Sequence, residues 1–86
     1  MPRIGIDDKS LVRGERIKQM RESINLTQTD FGKLAGGYPQ GTVYNWEAKG
    51  YPLPNYAIVA LHKAGIDVFW LLTGEGEMER KESNNE

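Results

Sequence analysis

Apolar residues recur along most of the chain at spacings of three and four, the repeat of a helix that buries one side, and strand-like alternation is scarce. Over residues 10–24, placing successive positions about 100° apart puts Arg13, Ile17, Met20, Arg21 and Ile24 on one side, which predicts a first amphipathic helix. Asn25 suits its exit. Thr27, with Asp30 three positions on, supplies a cap and an acidic residue beside the positive end of the next helix. That second helix presents Phe31, Leu34 and Ala35 inward and stops at Gly36-Gly37, where a positive φ carries no steric cost. Pro39 suits the first turn of a third helix over about residues 39–48, ended by Gly50 and Pro52. Asn55, after Pro54, is predicted to cap a fourth helix carrying Ile58 and Leu61 and closed by Gly65; Asp67 then caps a short fifth over residues 68–72. The expected fold class is all-α, with five helices.

Composition narrows what such a bundle can be. At 86 residues the chain supports one small domain with one thin core and no deep multi-layered cleft. There is no Cys and a single His62, so neither a disulfide framework nor a metal cage is expected, and no cofactor is implied. No run of 18 apolar residues occurs, and the opening MPRIGIDDKS lacks the apolar stretch of a signal peptide. These features lead to the expectation of a cytoplasmic protein with no membrane partner. The net charge of -1 is unevenly spread: residues 1–74 hold nine Lys/Arg and seven Asp/Glu, a net of +2, and residues 75–86 hold two and five, a net of -3. The reading is a flexible N-terminal arm (1–9), a mildly basic globular domain (10–74), and an acidic flexible tail or linker (75–86).

On the third helix, Val43, Trp46 and Glu47 share one side, and Gly41, Tyr44, Asn45 and Ala48 share the other, with Gln40 at the exposed start. Arg21 and Glu47 are charged residues on otherwise apolar faces. An unpaired charge there costs several kcal/mol, on the order of the penalty for one buried ion, so the two are expected to pair and tie the first helix to the third. Trp46 reads as core and His62 as ordinary packing or solvation. No residue set offers a nucleophile, a base and an oxyanion site together, so the chain does not read as an enzyme.

Taken together, Arg16 to Gln28 (RIKQMRESINLTQ), Thr42 to Glu47 (TVYNWE), the Pro-introduced fourth helix and Ile66 to Gly76 (IDVFWLLTGEG) resemble the phage repressor and Cro family of lambda-repressor-like helix-turn-helix DNA-binding domains. The resemblance covers residues 14–76. It implies that the Arg21–Glu47 pair is the family's structural ion pair and that the third helix is the recognition helix. By the same resemblance, base edges are read by Gln40, Gly41 and Asn45, with Thr42 and Tyr44 placed to meet a thymine methyl. Gln and Asn amides match the donor–acceptor pattern of adenine in the major groove, at about 1–3 kcal/mol per bidentate contact. Gln28 is expected to touch a phosphate and to brace Gln40, with Lys49 and Arg16 as further phosphate contacts.

Two departures from the family pattern stand out. Gln28 and Val43 lie one position further apart than usual, which lengthens the turn around Gly36-Gly37-Tyr38-Pro39; and the loop after the third helix, AKGYPLPN, carries only Lys49 as a cation. Arg3, Lys9, Arg13, Arg16 and Lys18 are a compensating basic cluster if the N-terminal arm reaches a duplex. Residues 68–72 (VFWLL) span more than a turn and cannot all face one core, so Phe69 and Leu72 are assigned to a homodimer contact, the other readings being an exposed apolar edge or contact with a further C-terminal domain. The function these features imply is sequence-specific binding to a double-stranded DNA operator, as a dimeric phage-type transcriptional repressor. The alternative is an antitoxin-like or regulatory protein-interaction module that kept the helices without operator binding.

Overall fold

The computed structural model describes the backbone of residues 5–76 and the side chains of residues 12–76. It contains five helices: α1 (Gly5–Ser23), α2 (Gln28–Leu34), α3 (Gln40–Ala48), α4 (Asn55–Lys63) and α5 (Val68–Thr73). No strand occurs among the described residues. The all-α expectation holds, and no described helix is long and apolar enough to cross a membrane.

Helix α1 starts at Gly5, five residues before the apolar repeat suggested, so residues 5–9, assigned to the arm, are helical. Apolar spacing marks only the part of a helix that faces a core; nothing between Gly5 and Ser10 breaks a helix, so it runs on past that face. Residues 1–4 with Arg3, the side chain of Lys9, and the acidic tail from residue 77 lie outside the described residues.

Local chemistry sets the remaining boundaries. Asn25 leaves α1 at φ 60°, the left-handed conformation that Asn tolerates better than most residues. The Thr27 hydroxyl accepts from the Asp30 amide at 3.0 Å, and the Asp67 carboxylate accepts from the Trp70 amide at 3.0 Å, so both expected caps form. Two others shift by one residue. Pro39 and Pro54 are themselves the N-cap residues of α3 and α4, at ψ 161° and 154°, and Asn55 is the first residue of α4 with no side-chain cap. Proline's fixed φ with an extended ψ is what an N-cap requires, and its carbonyl still accepts: Pro39 takes the Thr42 amide at 3.0 Å and Pro54 the Ile58 amide at 3.1 Å.

The core gathers Ile17 and Met20 of α1, Phe31 and Ala35, Val43 and Trp46 of α3, Ala57 and Leu61 of α4, and Trp70 and Leu71 of α5. Ile24, Leu34 and Ile58 flank it half-buried, and Ala57 takes the inward position on α4 beside Leu61. Helix α3 packs against α1 and α2, and α5 against α1 and α4, so α1 is the spine to which α3 and α5 are both fixed.

Two glycines make those contacts close. A Cβ on Gly14 would strike the backbone carbonyl of Glu47 and lie 2.8 Å from that of Trp46, so α1 and α3 touch backbone to backbone there. Gly32 on α2 is likewise pressed against the Tyr38 carbonyl, and a Cβ there would also come within 3.3 Å of Val43. The Gly32 carbonyl in turn accepts both the Gly37 and Tyr38 amides at 2.9 Å, and Gly36 and Gly37 take φ values of 114° and 104°. The long turn between α2 and α3 is thus folded back on α2 by hydrogen bonds, and Tyr38 packs edge-on to Trp46 with ring centroids 5.2 Å apart.

Candidate functional site

The Arg21–Glu47 pair forms as the two apolar faces required. Arg21 Nε donates to Glu47 Oε2 at 2.7 Å and its Nη2 to Oε1 at 3.2 Å, a two-pronged contact between side chains that are 12% and 5% exposed. Arg21 Nη1 also donates to the Leu26 carbonyl at 2.9 Å, which fixes the α1–α2 connection to the same guanidinium. The hydrogen bond to Glu47 raises the Arg21 pKa above its ordinary value, against the opposing effect of burial. The pair therefore sets the position of the C-terminal half of α3 relative to α1 and the start of α2.

From this pair a chain of amides runs to the surface. Gln28, the first residue of α2, donates Nε2 to Glu47 Oε1 at 3.0 Å, and its Oε1 accepts from Gln40 Nε2 at 2.6 Å. The expected brace between Gln28 and Gln40 is present. A helical wheel, which pairs Glu47 with Arg21 alone, does not show the bond from Gln28 to Glu47. Its sequence signal was the spare acceptor capacity of a carboxylate that one guanidinium does not exhaust.

Of the other base-reading candidates on α3, Gly41 is exposed with nothing within 4 Å of where a Cβ would stand, Tyr44 is 47% exposed, and Thr42 and Asn45 are half-buried. Gln40, Gly41 and Tyr44 thus lie on the outer edge of α3, opposite buried Val43, Trp46 and Glu47. Lys49 is exposed at the C-cap of the helix. An open groove of about 440 Å³ runs beside this edge, lined by Glu15 and Lys18 of α1, Arg21, Gln28, and Tyr44, Glu47 and Ala48.

Arg16, expected at a phosphate, has partners within the fold. Rather than standing free for a phosphate, its Nε donates to the Leu71 carbonyl at 2.9 Å and its Nη2 to the Leu72 carbonyl at 3.2 Å. It closes the C-terminal end of α5, where carbonyls lack helical partners and the dipole favours a cation. Burial, with a smaller contribution from neighbouring Arg13, lowers its pKa. A wheel of α1 alone could not separate this role from phosphate binding, since it shows the direction of Arg16 but not the helix that meets it. Arg13 is similarly occupied, donating Nη2 to the Gly50 carbonyl at 2.8 Å, so among the described residues of the basic cluster Lys18 is the one that borders the groove.

On α5, Trp70 and Leu71 are buried and Val68 is half-buried, whereas Phe69 and Leu72 are 58% and 38% exposed. The two residues assigned to a partner are those the fold leaves outward. A scan of protein-family models and searches of curated proteins and solved structures give no match to this chain.

Proposed function

We propose that this protein is a helix-turn-helix domain of the lambda-repressor type that binds double-stranded DNA sequence-specifically and represses transcription by occupying an operator as a homodimer. In this reading α2 and α3 are the two helices of the motif, and α3 enters the major groove. The observation that carries the proposal is the outer edge of α3. Its exposed amide at Gln40 is held by Gln28 instead of being left to solvent, and beside it Gly41 has no side chain and nothing above it. Glycine is a weak helix former, and no contact among the described residues calls for one at this second position of α3. Close approach of a partner's surface to the backbone does.

Gln40 and Asn45 take adenine edges, and Tyr44 and Thr42 flank them against a thymine methyl or the sugar-phosphate backbone. Gln28, with one Nε2 hydrogen left after its bond to Glu47, and Lys18 across the groove take phosphates, with Lys49 at the other end of α3. Lys18 replaces Arg16 in that role. Phe69 and Leu72 join two copies so that two α3 helices meet half-sites about 34 Å apart.

Fluorescence anisotropy with random-sequence duplex at low salt, followed by selection from a random DNA pool, tests the reading. Binding is expected, with log K falling against log salt at a slope near about -5 if a dimer neutralises about six phosphates. Gln40→Ala and Asn45→Ala should each lose about 1–3 kcal/mol on the selected site and little on random duplex. Absence of duplex binding at low salt refutes the proposal and favours the protein-interaction module, which the small net charge of the chain would suit.

A further inference from the structure

We infer that Glu47, a carboxylate only 5% exposed, dictates which purine Gln40 prefers, by fixing the direction of every hydrogen bond between them. The inference rests on the DNA-binding reading above. A carboxylate has no hydrogen to give, so both oxygens of Glu47 accept, and Arg21, which has no acceptor, donates to both. The only end of the Gln28 amide that can face Glu47 Oε1 at 3.0 Å is therefore the Nε2 end. That turns Gln28 Oε1 outward, and the only end of the Gln40 amide that can meet an acceptor at 2.6 Å is again Nε2.

The consequence reaches the surface. With one Nε2 hydrogen held by Gln28, Gln40 keeps one hydrogen to donate and a free Oε1 to accept. This is the complement of adenine, whose N7 accepts and whose N6 amino group donates in the major groove. Reverse the chain, and both Nε2 hydrogens of Gln40 are free, while Oε1, with one of its two lone pairs taken by Gln28, can still accept. That arrangement admits guanine, whose N7 and O6 both accept, as well as adenine. An exposed glutamine by itself favours adenine but can also turn both Nε2 hydrogens toward guanine, and a bond that holds one of them removes that second option. Here its state is set two links away by the charge of a residue buried against Arg21. Glu47 is a positioning residue for specificity as well as half of a structural pair.

The test uses the full chain and a set of duplexes carrying each of the four bases at every position of the selected site. The position read by Gln40 is the one where Gln40→Ala flattens the preference. Wild type should favour adenine over guanine there by about tenfold, within the range of a good bidentate contact. Gln28→Met keeps the bulk of the side chain and removes the relay; it should shrink that one ratio severalfold while the ratios at other positions persist. Glu47→Gln offers Gln28 a donor where only an acceptor stood, and should move the preference at the same position toward guanine. Circular dichroism confirms that each variant is folded, and either variant alone decides the matter. A merely structural role, or a phosphate contact as the whole role of Gln28, weakens binding equally for all four bases. That result, or a wild type that favours a base other than adenine at the Gln40 position, overturns the inference while leaving DNA binding intact. No binding by wild type overturns the DNA-binding reading, and this inference with it.

Discussion

Two glycines lie on helices that face different surroundings, and exchanging each for alanine should change stability in opposite directions. In a helix interior, Gly→Ala gains about 1 kcal/mol because alanine loses less backbone freedom on folding. At Gly41 no described atom lies within 4 Å of the added methyl, so nothing opposes the gain, which is smaller than in a helix interior because Gly41 is the second residue of α3. At Gly14 the methyl would be driven into the Glu47 carbonyl and to 2.8 Å from the Trp46 carbonyl. Both obstacles are backbone of a packed helix and cannot rotate away. Forcing an extra carbon into such a contact costs about 1–3 kcal/mol, and more where the backbone must move. The propensity gain offsets part of this, leaving Gly14→Ala about 1–2 kcal/mol less stable than wild type and the two variants about 2–3 kcal/mol apart. For a domain of this size each kcal/mol moves Tm by about 4–8 °C. Urea unfolding followed by circular dichroism, with the slope m compared among the three proteins, gives the difference directly. A Gly14→Ala protein as stable as wild type, with unchanged m, would refute the backbone contact between α1 and α3 and with it the placement of α3.

Other side chains lead to outcomes of the same kind. Arg21→Met strands a carboxylate that is 5% exposed and should cost about 3–5 kcal/mol, with much of the loss recovered in an Arg21→Met/Glu47→Leu double variant; additive losses in a double-mutant cycle would contradict a coupled pair. Arg16→Met removes the donors to the Leu71 and Leu72 carbonyls and should lower Tm through α5 without changing the salt slope of DNA affinity; a shallower slope would restore Arg16 to the phosphate contacts. Thr27→Ala and Asp67→Ala each delete one cap and should cost about 1 kcal/mol in urea unfolding. Gly41→Ala, though more stable than wild type, should bind the selected operator more weakly, and unchanged affinity would show that the α3 backbone is not approached closely.

Much of this protein is legible in its sequence because its determinants are local. Apolar spacing, the Thr27 and Asp67 caps, Asn25 and the Gly36-Gly37 stop depend on residues within a turn of one another, and they mark five helices in the right order. The Arg21–Glu47 pair is non-local, yet readable, because a charge on an apolar face has so few possible partners. Where a boundary fell wrong, as at the start of α1, the cause was a helix extending beyond its buried face, which leaves no apolar trace. Tertiary structure alone decided what lies opposite each side chain. It sent Arg16 to the end of α5 instead of to solvent, pressed Gly14 and Gly32 against backbone, and turned Glu47 toward Gln28 as well as Arg21. A helical wheel gives the direction of a residue but not the element that meets it, and the direction of a hydrogen bond is fixed only when both of its ends are known.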